Sequence, residues 1–177
     1  FFTKEGLARA VDDVSFTVGK SEIMGLVGES GSGKTVTGFS LIDLVDPPGK
    51  IVGGQILFNG EDLVQANERR MSQLRGNRIA MIFQDPMMTL NPVLRIDTQM
   101  METIVAHNKN VSKVEAHQRS RDALGQVGIP APDERLRAYP HQFSGGMRQR
   151  VMIAMALSCE PRLLIADEPT GNLDEAT

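Results

Sequence analysis

Gly28-Glu29-Ser30-Gly31-Ser32-Gly33-Lys34-Thr35 is the stretch that decides the fold. Glycines at 28, 31 and 33 let the backbone turn so that successive N–H groups point inward. The resulting nest of partial positive charge adds to the N-terminus of the helix that follows, and such a nest binds phosphate. Upstream, Glu22–Val27 has the apolar character of a strand, and downstream Lys34–Val45 reads as a helix stopped by Pro47-Pro48. Strand, glycine loop and helix in this order, with a lysine and a hydroxyl residue at the loop's end, form the P-loop pattern. Lys34 is expected to reach the β- and γ-phosphates of a nucleotide, and the Thr35 hydroxyl to ligate Mg²⁺.

On the N-terminal side of this loop, Val14, Phe16 and Val18 alternate with polar or small residues, which predicts β-structure turning at Gly19-Lys20. On the C-terminal side, Gln55–Phe58 reads as a strand closed by an Asn59-Gly60 turn, Asp62–Leu74 as a helix and Ile79–Phe83 as a buried strand. From Asp85 to about Gln142 the chain changes character and reads as an α-helical insertion. Within it Ser112-Lys113-Val114-Glu115 is a capping box, and Gly128 and Pro130 stop the helix near Val127. Ser144 precedes a helix that carries Met147, Val151, Ala154, Met155 and Ser158 on one face. The continuous apolar run Leu163–Ala166 predicts a parallel strand buried on both faces.

Strands separated by helices give an α/β fold with a mainly parallel sheet, an antiparallel β portion near the N-terminus and the helical insertion. Its ligand site lies at the carboxyl ends of the strands, so the glycine loop and Asp167-Glu168 are expected to face one site. There Asp167 would hold Mg²⁺ directly or through water, and Glu168 could take a proton from an attacking water.

Composition narrows the function classes. Hydrophobic residues make up 41% of the 177 and charged residues 23%, enough for a real core. The formal charge is −3, from 19 Lys+Arg against 22 Asp+Glu, so no global basic field holds a nucleic-acid backbone and no nucleic-acid partner is expected. The apolar runs Val151–Leu157 and Leu163–Ala166 are far shorter than the roughly 20 residues of a membrane-spanning helix. A single cysteine, Cys159, excludes an internal disulfide and reads as a small buried thiol.

One further motif separates the P-loop proteins. In Phe143-Ser144-Gly145-Gly146-Met147, two glycines follow a capping serine and open a helix about twenty residues before the Asp167-Glu168 strand. This resembles the signature motif of ATP-binding cassette (ABC) ATPases. Gln84 resembles their Q-loop glutamine, and Gly171-Asn172-Leu173-Asp174 their D-loop. Gln84–Pro92 and Tyr139–Arg150 are similar to the dipeptide/oligopeptide and nickel importer ATPases.

The resemblance implies an ATPase pair closing head-to-tail, as a homo- or heterodimer, around two ATP molecules. Gly28–Thr35 would hold one subunit's nucleotide, and Ser144, Gly145, Gly146 and Met147 would serve the partner's. Lys34, Gln84 and Glu168 would be catalytic; Thr35, Gln84 and Asp167 would face Mg²⁺, and Asp174 would belong to the D-loop. Phe1 or Phe2 would stack on adenine. Other implied partners are transmembrane permease subunits and, indirectly, an extracytoplasmic solute-binding protein, with the chain peripheral on the cytoplasmic face of the inner membrane. Docking to the permease would use the Gln84–Pro92 loop, which includes Met87 and Met88. The implied domain plan is a core in 1–84, the insertion in 85–142, and the signature helix with the second core part in 143–177.

Met147 stands where the family's signature usually has Gln, which the peptide-importer branch tolerates. Both chain ends read as cut, and the switch histidine is expected beyond Thr177, because His107, His117 and His141 all precede Glu168. Hydrolysis is therefore expected of a longer chain rather than of residues 1–177 alone. The alternatives are an ABC ATPase outside transport, of the DNA-repair or translation type, which typically carries a coiled-coil insertion or tandem cassettes. A P-loop kinase or GTPase is the other, and it would not need Phe143–Met147.

Overall fold

The computed structural model describes residues 1–3, 6–85, 89–108 and 110–169. The chain divides into two compact units, Phe1–Met71 and Ser72–Thr177.

In the first unit, β1 (Phe2–Thr3) pairs antiparallel with β2 (Gly6–Leu7), and the P-loop leads into α1 (Lys34–Leu41). Helix α1 stops short of the predicted Val45. Asp43 adopts φ 51°, Leu44 N–H bonds Phe39 O at 2.9 Å and Asp43 N–H bonds Ser40 O at 3.3 Å. That is a Schellman motif with aspartate in the left-handed position usually held by glycine. The Asn59-Gly60 turn is formed as predicted, with φ 52° and 84°, and joins β3 (Leu57–Phe58) to β4 (Glu61–Asp62). Asp62 is therefore a strand residue rather than the start of a long helix. Its carboxylate accepts from Val64 N–H at 3.1 Å to cap a 3₁₀ turn, Leu63–Gln65, and α2 (Glu68–Leu74) begins only after it.

The predicted strands at Val14–Val18 and Glu22–Val27 are not formed: residues 8–31 contain no helix or strand. The turn between them is present, with Glu22 N–H on Gly19 O at 3.3 Å, but no neighbouring segment supplies a ladder among the described residues. Alternating side chains make a segment competent for a strand, whereas only a hydrogen-bonded neighbour makes it one. Phe16 and Val18 accordingly remain exposed.

The second unit is built on a parallel pair, β5 (Ile79–Ile82) and β6 (Leu163–Ala166), in register Ile79↔Leu163 to Ile82↔Ala166. β5 is buried except at the half-buried Met81, whereas β6 alternates: Leu163 and Ile165 are half-buried, Leu164 and Ala166 exposed. The expectation that β6 is covered on both faces is thus corrected. β5 is its single ladder partner among the described residues.

Between these strands lie α3 (Ile96–His107), α4 (Lys113–Gln126), α5 (Pro132–Leu136) and α6 (Gly145–Leu157). The predicted cap of α4 is present, with Ser112 Oγ accepting from Glu115 N–H at 3.2 Å. Its predicted end is a second Schellman motif. Gly128 adopts φ 71°, Ile129 N–H bonds Leu124 O and Gly128 N–H bonds Gly125 O, both at 3.0 Å. Leu124 and Ile129 join Ile96, Met100, Leu136, Phe143 and Val151 in one apolar core. Each such side chain contributes about 1.5–3 kcal/mol by leaving water. No helix of the described residues is long and apolar enough to cross a membrane.

Candidate nucleotide site

The P-loop lies in the first unit. Gly31 and Gly33 adopt φ 80° and 89°, a left-handed backbone that side chains rarely take, and Gly33 stands directly before α1. A Cβ on Gly33 would also collide with Ala10 O. Thr37 N–H and Oγ1–H both bond Gly33 O, at 2.8 and 2.9 Å, and fix the first turn. Lys34 curls back over its own loop: Nζ donates to Gly28 O and Glu29 O, each at 2.8 Å. An ammonium whose donors rest on exposed carbonyls can exchange them for phosphate oxygens at small cost. Thr35 is exposed. The Phe1 ring lies close enough to Gly49 that a Cβ there would fall 2.7 Å from Cε1, and the Phe2 side chain is outside the described residues. A cavity of about 280 Å³ lies against Ser40, Val45, Ile56 and Leu63, and no predicted site residue lines it.

The second unit carries the carboxylate turn. Because Ile82 stands opposite Ala166, Gln84 and Glu168 come off the ends of adjacent parallel strands, and Gln84 Nε2 donates to Glu168 Oε2 at 2.7 Å. Asp167 N–H extends the ladder to Ile82 O at 2.9 Å. Glu168 itself has φ 47°, a strained conformation for a non-glycine residue that costs on the order of 1–3 kcal/mol and persists only where neighbours impose it. Both Gln84 and Glu168 are exposed.

Ser144 caps α6, its Oγ accepting from Met147 N–H at 3.3 Å. Phe143 is buried beneath the Arg135 guanidinium, 5.8 Å from the ring centroid, and anchors the segment. Ser144 and Gly145 are exposed, and a Cβ on Gly145 would meet nothing within 4 Å. The space beside Gly145, at the start of α6, is therefore open. Met147 packs against the apolar core, which explains an apolar residue at that position. The predicted D-loop with Asp174, and the loop residues Met87 and Met88, lie outside the described residues.

Nothing in the motif pattern singles out Gln149, yet it is fully buried on α6 and its Nε2 donates to Pro169 O at 2.8 Å. Its Oε1 has no hydrogen-bond partner among the described residues. In the sequence it is one residue of the Tyr139–Arg150 stretch, with nothing to mark it apart from its neighbours.

An α/β arrangement with a glycine loop opening a helix and a carboxylate turn closing a parallel strand pair is that of the P-loop NTPases. Solved structures of ATP-binding cassettes share the fold. The dimeric ATP-binding cassette MJ0796 bound to ADP and Pi, in a post-hydrolysis state, superposes with a TM-score of 0.83 at 25% identity, over 94% of this chain and 68% of that one. Another dimeric structure of MJ0796, a bacterial ABC transporter cassette, gives 0.87 at 25% identity, over 98% and 72%.

The ABC transporter family pattern matches residues 11–171, and the chain belongs to that family. It is 52% identical over 166 residues to the dipeptide transport ATP-binding protein DppD of Escherichia coli, covering 94% of this chain and 50% of the relative. It is 51% identical over 174 residues to the oligopeptide transport ATP-binding protein OppD of Salmonella typhimurium, covering 98% and 51%. Against OppD of Bacillus subtilis the identity is 50% over 175 residues, covering 98% and 49%. The chain spans about half the length of the curated relatives it matches.

Proposed function

We propose that this chain is the nucleotide-binding part of a peptide importer ATPase, coupling ATP hydrolysis to uptake of peptides across a membrane. The observation that carries the reading is the 51–52% identity with dipeptide and oligopeptide transport ATP-binding proteins over nearly the whole chain. The Gln84–Glu168 pair at the strand ends supports the chemistry.

In this reading Gly28–Thr35 binds the β- and γ-phosphates, with Lys34 Nζ leaving the loop carbonyls for phosphate oxygens. Ser144, Gly145 and Gly146 bind the γ-phosphate held by a second ATPase subunit, whose approach the open face of Gly145 accommodates. Gln84 orients Glu168, and Glu168 accepts the proton of the attacking water as its oxygen bonds to phosphorus and ADP leaves. The Thr35 hydroxyl beside the glycine loop and, separately, the Asp167 carboxylate and Gln84 amide oxygen at the strand ends are oxygen donors of the kind Mg²⁺ takes beside phosphates, and the ion when bound would offset phosphate charge. Phe1 or Phe2 stacks on adenine. Transmembrane permease subunits dock on the Gln84–Pro92 loop and the adjoining insertion, a solute-binding protein delivers peptide from the far side, and the ATPase sits at the inner membrane face.

The test is uptake. The full-length chain, reconstituted in proteoliposomes with its membrane subunits and solute-binding protein, is expected to accumulate labelled peptide only with MgATP, and Lys34→Ala to abolish it. Hydrolysis without peptide accumulation would favour an ABC ATPase outside peptide import.

A further inference from the structure

We infer that Gln149 is a positioning residue for Glu168, fastening the carboxylate turn to the helix that begins at Ser144. The inference rests on the reading of Glu168 as general base. Glu168 is held in a left-handed conformation at φ 47°, and a single strained residue keeps that shape only if both its flanks are fixed. Asp167 N–H on Ile82 O fixes the N-terminal flank. Gln149 Nε2, 2.8 Å from Pro169 O, fixes the C-terminal flank from twenty residues away in sequence. Gln84 holds the carboxylate end itself.

Stability does not explain an amide here. Gln149 is fully buried, and among the described residues only its Nε2 has a hydrogen-bond partner, its Oε1 being buried without one there. An apolar side chain of the same length would fill the space without burying that oxygen. What it could not do is hold Pro169 O. Because Gln149 lies about one and a half turns along α6 from its Ser144 cap, the same rigid element carries the signature glycines and the brace of the Glu168 turn. An anion pulling on the start of α6 therefore acts on the geometry of the base.

The test uses the full-length chain with Gln149→Met, and Gln149→Leu as a second variant should the first fold poorly. Turnover at saturating MgATP is expected to fall about 10- to 100-fold, as for a misplaced catalytic group, with ATP affinity and thermal midpoint close to wild type. In a Glu168→Gln background the same substitution is expected to cost nothing further, because the group it positions is already disabled. A turnover within about twofold of wild type, or an equal loss in both backgrounds, overturns the inference. If Glu168→Gln alone retained wild-type turnover, the general-base reading would fail instead, which separates the two failures.

Discussion

Gln84 and Glu168, 84 residues apart in sequence, are joined by a 2.7 Å hydrogen bond. The parallel register of β5 and β6, with Ile82 opposite Ala166, brings them there. The amide donates, so one carboxylate oxygen is held while the other stays available to a water. Replacing Gln84 by Ala frees the carboxylate and removes the orienting contact. In the full-length chain, turnover is expected to fall about 10²-fold with little change in ATP affinity. Steady-state phosphate release and nucleotide titration together check the split.

Lys34→Ala removes the one side-chain cation of the glycine loop. A charge-assisted hydrogen bond is worth about 1.5–3 kcal/mol, so affinity for MgATP should drop roughly 10- to 150-fold. Titration with a fluorescent ATP analogue measures it, and equal affinities in wild type and variant would remove the loop from the binding site.

Ser112→Ala deletes the side-chain cap of α4 while leaving the nucleotide residues untouched. The expected loss is about 1 kcal/mol, or a thermal midpoint lower by about 2–4 °C. Calorimetry at neutral pH resolves a shift of that size.

His107 is partly buried beside Gly76 and shares a cleft with Arg78, Glu115, Arg119, Cys159 and Glu160. Burial pushes its pKa below the usual 6.5. The unfolded chain thus binds a proton that the folded chain resists, and stability present above pH 6.5 is lost as the pH falls below it. In His107→Gln that part of the decline should disappear. Thermal midpoints of both proteins from pH 7.5 to 5 give the comparison, and parallel curves would mean that His107 does not titrate differently on folding.

The local signals of the sequence translate wherever the determining interaction is itself local. Asn59-Gly60 makes its hairpin turn, Ser112 caps α4, Gly128 ends it and Ser144 caps α6. In the glycine loop Gly31 and Gly33 take a left-handed backbone, which turns the chain there. What the sequence hides is pairing and tertiary satisfaction. Val14–Val18 alternates like a strand without having a ladder neighbour among the described residues, and Leu163–Ala166 is apolar throughout yet alternates in burial. The end of α1 at Asp43 escapes a search for glycine and proline because aspartate tolerates the left-handed position. Gln149 escapes for a different reason: its partner is a backbone carbonyl, which leaves no mark in the sequence of either residue.

The central claim is that Glu168 is the base of an ATP-hydrolysing site. Single-turnover phosphate release from saturating MgATP, by the full-length wild type and its Glu168→Gln variant, tests it most directly, with nucleotide affinity measured on the same samples. The amide keeps the carboxylate's shape without its basicity, so ATP should bind as in wild type while release slows by about 10²- to 10⁴-fold. Release at the wild-type rate would contradict the claim.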